Sequence, residues 1–167
     1  MRKLLGLLAA GIVLLGLGCK DKNASPEEST FEELVFNYQK MPQRMVLNSK
    51  ANELLENWPE FRAFNSSFDV LYKARNNEDL ALALDDLIDK QSLLEKSQYP
   101  SMFDAFEVKS RLRVVKTYLF KAKSHVLNNS ETTEPTIEMI KAYNAMRAQL
   151  NVVVNSQLDK KLILDEE

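Results

Sequence analysis

AFEVKSRLRVVKTYLFKAKSHV, residues 105–126, decides the fold. Ala105, Val108, Leu112, Val115, Leu119, Ala122 and Val126 recur at alternating intervals of three and four, the spacing at which one side of an α-helix returns to the same direction. A half-buried strand would alternate every second residue, and this stretch does not. One apolar seam therefore runs the length of a helix expected over 101–128. Pro100 and Ser101 mark its start. Asn128-Asn129 follows it, offering the residue type that best accepts a left-handed cap where glycine is missing.

The same helix carries two further rows. Lys109, Lys116 and Lys123 recur every seven residues beside the seam, placed to lie along a bundle edge and pair with the acidic stretch Glu78, Asp79, Asp85, Asp86 and Asp89. The competing reading of the lysines is a basic strip for lipid phosphate. A second apolar row, Met102, Phe106, Phe120 and Leu127, lies well round from the seam. A helix apolar on two sides either sits centrally among its neighbours, the simpler reading, or offers a face to a partner.

Helical spacing continues outward in both directions. A helix is expected over 58–75, with Asn57 as N-cap, Glu60 three residues on, and Phe61, Phe64, Phe68 and Leu71 on one face. Asn76-Asn77 breaks the chain before a helix over 78–97 that turns Leu80, Leu84, Leu87 and Leu94 inward, and Tyr99-Pro100 ends it. Glu134-Pro135 opens a last helix to about residue 160, with Met139, Tyr143, Met146, Leu150 and Val153 on its seam. A first helix over 30–56 has Thr30 and Glu33 as a capping box, and Pro42 predicts a break in it near Met41. No strand pattern or repeat interrupts the series, and short connections make sequential helices antiparallel. The expectation is an all-α, up-and-down bundle of four to five helices.

All four glycines, Gly6, Gly11, Gly16 and Gly18, precede residue 19. Glycine supplies the backbone angles of phosphate-cradling loops and of the serine elbow of hydrolases, so those enzyme classes are excluded from the rest of the chain. One histidine, His125, and one cysteine, Cys19, remove most nucleophile–base pairs and transition-metal sets. No catalytic motif is recognisable, and no enzyme activity is expected. A helical bundle with one histidine and Met45 or Met146 resembles the haem-binding b-type cytochromes. There the histidine belongs to the last helix; here it stands on the penultimate one, off the seam, which favours a partly exposed structural histidine over haem.

The first residues carry a different message. Arg2 and Lys3 precede a run, Leu4 to Gly18, built only from Leu, Ala, Gly, Ile and Val, an arrangement of charged and apolar regions typical of a secretory signal. The run is shorter than the roughly 20 residues a membrane span needs. Leu15-Gly16-Leu17-Gly18-Cys19 then resembles the lipobox of bacterial lipoproteins. That resemblance implies cleavage between Gly18 and Cys19 and lipid attached to Cys19. Lys20-Asp21 is similar to part of the charged export signal that follows the lipidated cysteine in Bacteroidetes lipoproteins.

Residues 1–18 are thus expected to be the signal peptide, 19–29 a polar tether, 30–160 a single helical-bundle domain and 161–167 an acidic tail. Cleavage leaves 149 residues, the size of one domain with a real core. Removing Arg2 and Lys3 from the 22 basic residues leaves 20 against 24 acidic ones, a net charge of −4, which argues against nucleic acid as a partner. The functional expectation is a lipid-anchored outer-membrane protein, facing periplasm or cell surface, that binds another envelope protein as an accessory subunit. Its rival is a carrier of haem, a metal ion or a small apolar molecule held inside the bundle near Met41, Met45, Met139 and Met146.

Overall fold

The deciding stretch forms the helix its spacing requires. In the computed structural model, which describes residues 36–164 and side chains from 36 to 156, Val108, Leu112, Val115, Leu119 and Ala122 are all buried. The Asn pair terminates the helix as expected. Asn129 adopts φ 49°, its amide bonds the Val126 carbonyl at 3.2 Å, and the Ser130 amide bonds the His125 carbonyl at 3.0 Å. This is the left-handed Schellman closure, built on asparagine instead of glycine.

Among the described residues the chain is helix and loop, with no strand: α1 Ser49–Glu56, α2 Pro59–Leu71, α3 Asn77–Lys96, α4 Phe106–Leu127 and α5 Thr133–Leu164. The protein is an all-α helical bundle, with four long helices and the short α1. α2 packs on α3, α3 on α4, and α4 on α5. The ring closes from α5 to α2 through aromatic side chains, Phe68 stacking on Tyr143 at 3.5 Å and Phe64 meeting it edge-on at 6.0 Å. The core of α3 is as read from the sequence, with Leu80, Leu84, Leu87 and Leu94 fully buried.

Several boundaries move, each for a local reason. α4 starts at Phe106 rather than 101, because the Phe103 and Asp104 amides both turn back to the Pro100 carbonyl, at 2.8 and 3.0 Å. That turn drops Phe103 into the core beside Trp58. α2 opens on Pro59, a residue suited to a first helical position. Trp58 occupies its N-cap without a side-chain capping bond, and Asn57 instead ends α1. α3 opens one residue earlier than expected, because Asn76 caps it by accepting the Asp79 amide at 2.7 Å. The seam of α5 closes on buried Val154 rather than half-buried Val153, and α5 extends past the expected end near 160 to Leu164.

The largest departure lies before α1. The expected helix over 30–56 is not formed between 36 and 48; there the chain is extended apart from one 3-10 turn, Tyr38–Lys40. Pro42 forbids a continuous helix, and α5 offers an alternative set of partners. The Asn37 amide bonds Thr133 Oγ1 at 3.0 Å. Asn144 donates to the Gln43 carbonyl and accepts the Met45 amide, both at 2.8 Å. Arg147 donates to the Met45 carbonyl at 2.6 Å. Asn151 donates to the Val46 carbonyl and accepts the Asn48 amide, both at 2.9 Å, and the Asn48 side chain reaches Asn155 at 3.1 Å. The extended segment runs parallel to α5, and the lengths agree: five extended residues from Gln43 and eleven helical ones from Asn144 both cover about 16–17 Å.

This strap explains why α5 is buried on more than one side. Met139, Ile140, Ala142, Tyr143, Met146, Arg147 and Leu150 are all buried, a distribution no single seam provides. Phe36 and Leu47 on the strap are themselves buried, and Tyr72 of the α2 C-cap donates to the Pro42 carbonyl at 2.9 Å. The strap is thus bonded to both α5 and the end of α2.

Candidate functional site

The row Met102, Phe106, Phe120 and Leu127 divides in the structure. Met102 belongs to the turn before α4 and packs half-buried against the core. Phe106, Phe120 and Leu127 stand on the outer side of α4, 74%, 50% and 68% exposed. α4 is therefore not wrapped by neighbours, and the central-position reading fails at these three residues. Val114, also partly exposed, borders the row. Arg113 shares it, with its guanidinium 5.9 Å from the centre of the Phe106 ring.

The lysine row beside it is neutralised. Lys123 pairs with Asp85 at 2.7 Å, Lys116 with Glu95 at 2.6 Å, and Lys109 with Asp104. Lys123 alone pairs within the expected acidic stretch; Lys116 reaches Glu95 farther along α3, and Lys109 finds its partner in the turn ahead of its own helix. The hydrogen bond from Lys116 holds the Glu95 carboxyl below its usual range, against the opposing effect of burial. With their charges matched, these lysines are poorly suited to a phosphate strip.

The acidic residues of α3 have local duties. Asp79 accepts the Arg75 amide at 3.0 Å, and Asp86 accepts from the Ser67 hydroxyl and pairs with Lys90 at 3.7 Å. Among the described residues, no group of three or more His, Cys, Asp or Glu side chains is placed to hold a metal ion. His125 Nδ1 meets the Glu131 carbonyl at 2.8 Å and the Ser130 hydroxyl at 3.2 Å, so it fastens the α4–α5 turn. No helix among the described residues is long and apolar enough to cross a membrane. Gly18 and Cys19 lie outside the described residues.

A second feature, a cleft of about 730 Å³, was not legible in the sequence; it opens between the strap and the end of α2, lined by Tyr38, Met41, Gln43, Arg44, Asp69, Tyr72 and Lys73. Arg44 bonds Asp69 at 2.7 Å and lies 5.3 Å from the centre of the Tyr72 ring, while Arg75 lies 4.3 Å from that of Tyr38. Burial raises the Tyr72 phenol, against the lowering effect of Arg44 and Arg147. These contacts depend on an extended strap, which the expected helix over 30–56 concealed. Of the four methionines proposed to line an internal site, only Met41 borders the cleft. Met139 and Met146 are buried in the core, and Met45 is 42% exposed outside it.

The void inside the bundle beside Trp58, Leu94, Met146 and Leu150 measures about 10 Å³, room for about one water and far below the several hundred Å³ of a small-molecule site. The aromatic and aliphatic side chains there fill the space. Comparison of the chain with protein-family models, with curated proteins and with solved structures found no match.

Proposed function

We propose that this protein is a lipid-anchored helical lipoprotein of the bacterial cell envelope, serving as a protein-interaction or accessory subunit. The observation that carries the interaction half is the uncovered row Phe106, Phe120 and Leu127 on α4. Large apolar side chains grouped on one face and left in water favour association. The anchoring half is supported by the LGLGC stretch at residues 15–19. Phe36 enters the bundle beside Thr133 at the start of α5, and the residues from Cys19 to Phe36 can span up to about 55 Å. That length lets the bundle stand clear of a membrane surface to which Cys19 is attached.

The two halves are tested separately. Mass spectrometry of the membrane fraction should find residue 19 as an acylated N-terminus; a free thiol on an uncleaved chain overturns the anchor. A photo-crosslinking amino acid at position 120 in intact cells should give one or a few discrete adducts that the same probe at position 56 does not. A smear identical at both positions overturns the interaction reading.

A second reading, carriage of a small molecule, is favoured by the cleft at Tyr38 and Tyr72. Its volume lies within the range of small-molecule sites, and its lining combines two phenol rings with cations. Native mass spectrometry of protein purified from its own membrane should show a bound mass that is lost in Tyr72→Ala. Protein of bare chain mass removes this reading.

A further inference from the structure

The exposed face of α4 is a heptad seam. Phe106, Arg113, Phe120 and Leu127 recur every seven residues, and Ser110, Thr117 and Ser124 lie between them, giving intervals of four and three throughout. The spacing is that of the contact row of a two-helix coil, with apolar residues at three of its seven places, and it points away from the seam that packs the bundle. Large residues occupy one line and small hydroxyl residues the other. Thr117 donates its hydroxyl to the Arg113 carbonyl at 3.1 Å, so it is satisfied within its own helix and asks nothing of a partner.

We infer that the occupant of this face is a second copy of the same chain, docked antiparallel through α4. A twofold interface brings one patch against itself, and the antiparallel register places a large residue over a small one in the layers where the helices overlap, Phe106 over Ser124, Phe120 over Ser110 and Arg113 over Thr117, with Leu127 lying past the end of the overlap. The guanidinium of Arg113, already beside its own Phe106 ring, would then also face Phe120 of the other copy, an arrangement favoured by cation–π attraction. Along the flank, Glu107 comes beside Lys121 of the second copy, which Glu138 of that copy already holds, and Val114 meets Val114 at the axis. Lys109, Lys116 and Lys123 on the opposite flank are already matched by Asp104, Glu95 and Asp85, which removes most of the repulsion between copies. A parallel pair would instead set Arg113 against Arg113. The contact is one helix pair, of the small and transient kind.

This inference rests on the interaction reading and names its partner. Its test uses the full chain carrying Cys19→Ser, so that added cysteines are the only thiols, and reads disulfide formation under mild oxidation of the isolated protein. Val114→Cys should link to itself roughly tenfold or more faster than Glu56→Cys on α1, because docking raises the local thiol concentration. Phe106→Cys should not exceed that control alone but should do so when mixed with Ser124→Cys. Fast self-linking of Phe106→Cys overturns the antiparallel register. Rates equal to the control at every α4 position overturn the second copy as the occupant. Adding vesicles of anionic phospholipid to a fluorophore-labelled Val114→Cys chain then shows whether a lipid surface takes its place. Because only this chain is in the reaction, a negative result leaves the in-cell crosslinking test of an envelope partner intact.

Discussion

Asn144 and Asn151, seven residues apart on α5, each clasp one peptide stretch of the same extended segment, donating to one carbonyl and accepting one amide. Two turns of helix thereby act as one edge of a ladder, with side-chain amides replacing the backbone of a neighbouring strand. Asn151→Ala should cost about 1 kcal/mol, because the freed groups at Val46 and Asn48 can reach water. Asn144→Ala with Asn151→Ala should cost more than either alone. Hydrogen exchange checks the locality: Met45 and Asn48 amides lose protection, while α3 and α4 retain theirs.

Tyr143 and Arg147 share an acceptor on α2. Both bond Asn65 Oδ1, at 2.6 and 2.5 Å, and Arg147 is 7% exposed and donates to the Met45 carbonyl, the Asn65 amide oxygen and the Tyr143 phenol oxygen. Asn65→Leu removes that acceptor and should cost about 2–3 kcal/mol by urea unfolding, since hydrogen bonds to a charged group are involved.

Burial also raises the Tyr143 phenol above its ordinary value, the two arginines opposing it. The folded state therefore holds that proton longer than the unfolded chain does. Stability is unaffected below about pH 10 and falls as pH rises through the folded-state value. Tyr143→Phe should lose about 1 kcal/mol at neutral pH and show a shallower alkaline decline in melting temperature. A decline as steep as that of the parent would place its cause elsewhere, Tyr72 and Tyr99 being raised by burial as well.

Glu95 behaves in the opposite sense. Its lowered carboxyl means that the pair with Lys116 contributes above the ordinary carboxylate range and is lost as pH falls through the lowered value. Both side chains are about a third exposed, so the contribution is at most about 1 kcal/mol. Lys116→Met should move the Glu95 titration, followed by NMR, back upward while changing stability at pH 7 only slightly.

Trp58, the one tryptophan of the chain, donates from its indole to Ser97 at 2.8 Å and lies among Phe61, Tyr99 and Phe103. Phe103→Ala opens a cavity beside it and should cost about 3–5 kcal/mol. Tryptophan emission, blue-shifted in the parent, should move to longer wavelength in the variant before the main unfolding transition.

Most of the fold was readable because its signals are local. The 3-4 spacing located α3, α4 and α5, and Asn128-Asn129 announced the left-handed closure of α4. The turn at Pro100 to Ala105 was hidden because Phe103 serves the core without belonging to a helical period. The strap was hidden for a deeper reason: its bonding partners are about a hundred residues away, on α5. One hint was present. Asn144, Asn151 and Asn155 are weak helix formers set within one helix, and such residues are retained where their side chains bond something outside it. On α4 the outer row was visible, but whether other helices covered it depended on where α3 and α5 came to rest. The cleft at Tyr38 and Tyr72 depended on the strap and shared its obscurity.

A tug on the chain ahead of Phe36 meets the bundle first at Thr133, and the grips of Asn144, Arg147, Asn151 and Asn155 stand one behind another beyond it. Load directed away from the surface then falls on one grip at a time, as in opening a zip, instead of on all of them together. The leading dozen residues can pay out as slack, Phe36 and Leu47 leaving the core with them, so that mechanical strain arriving from that end is spent on the segment ahead of the long helices.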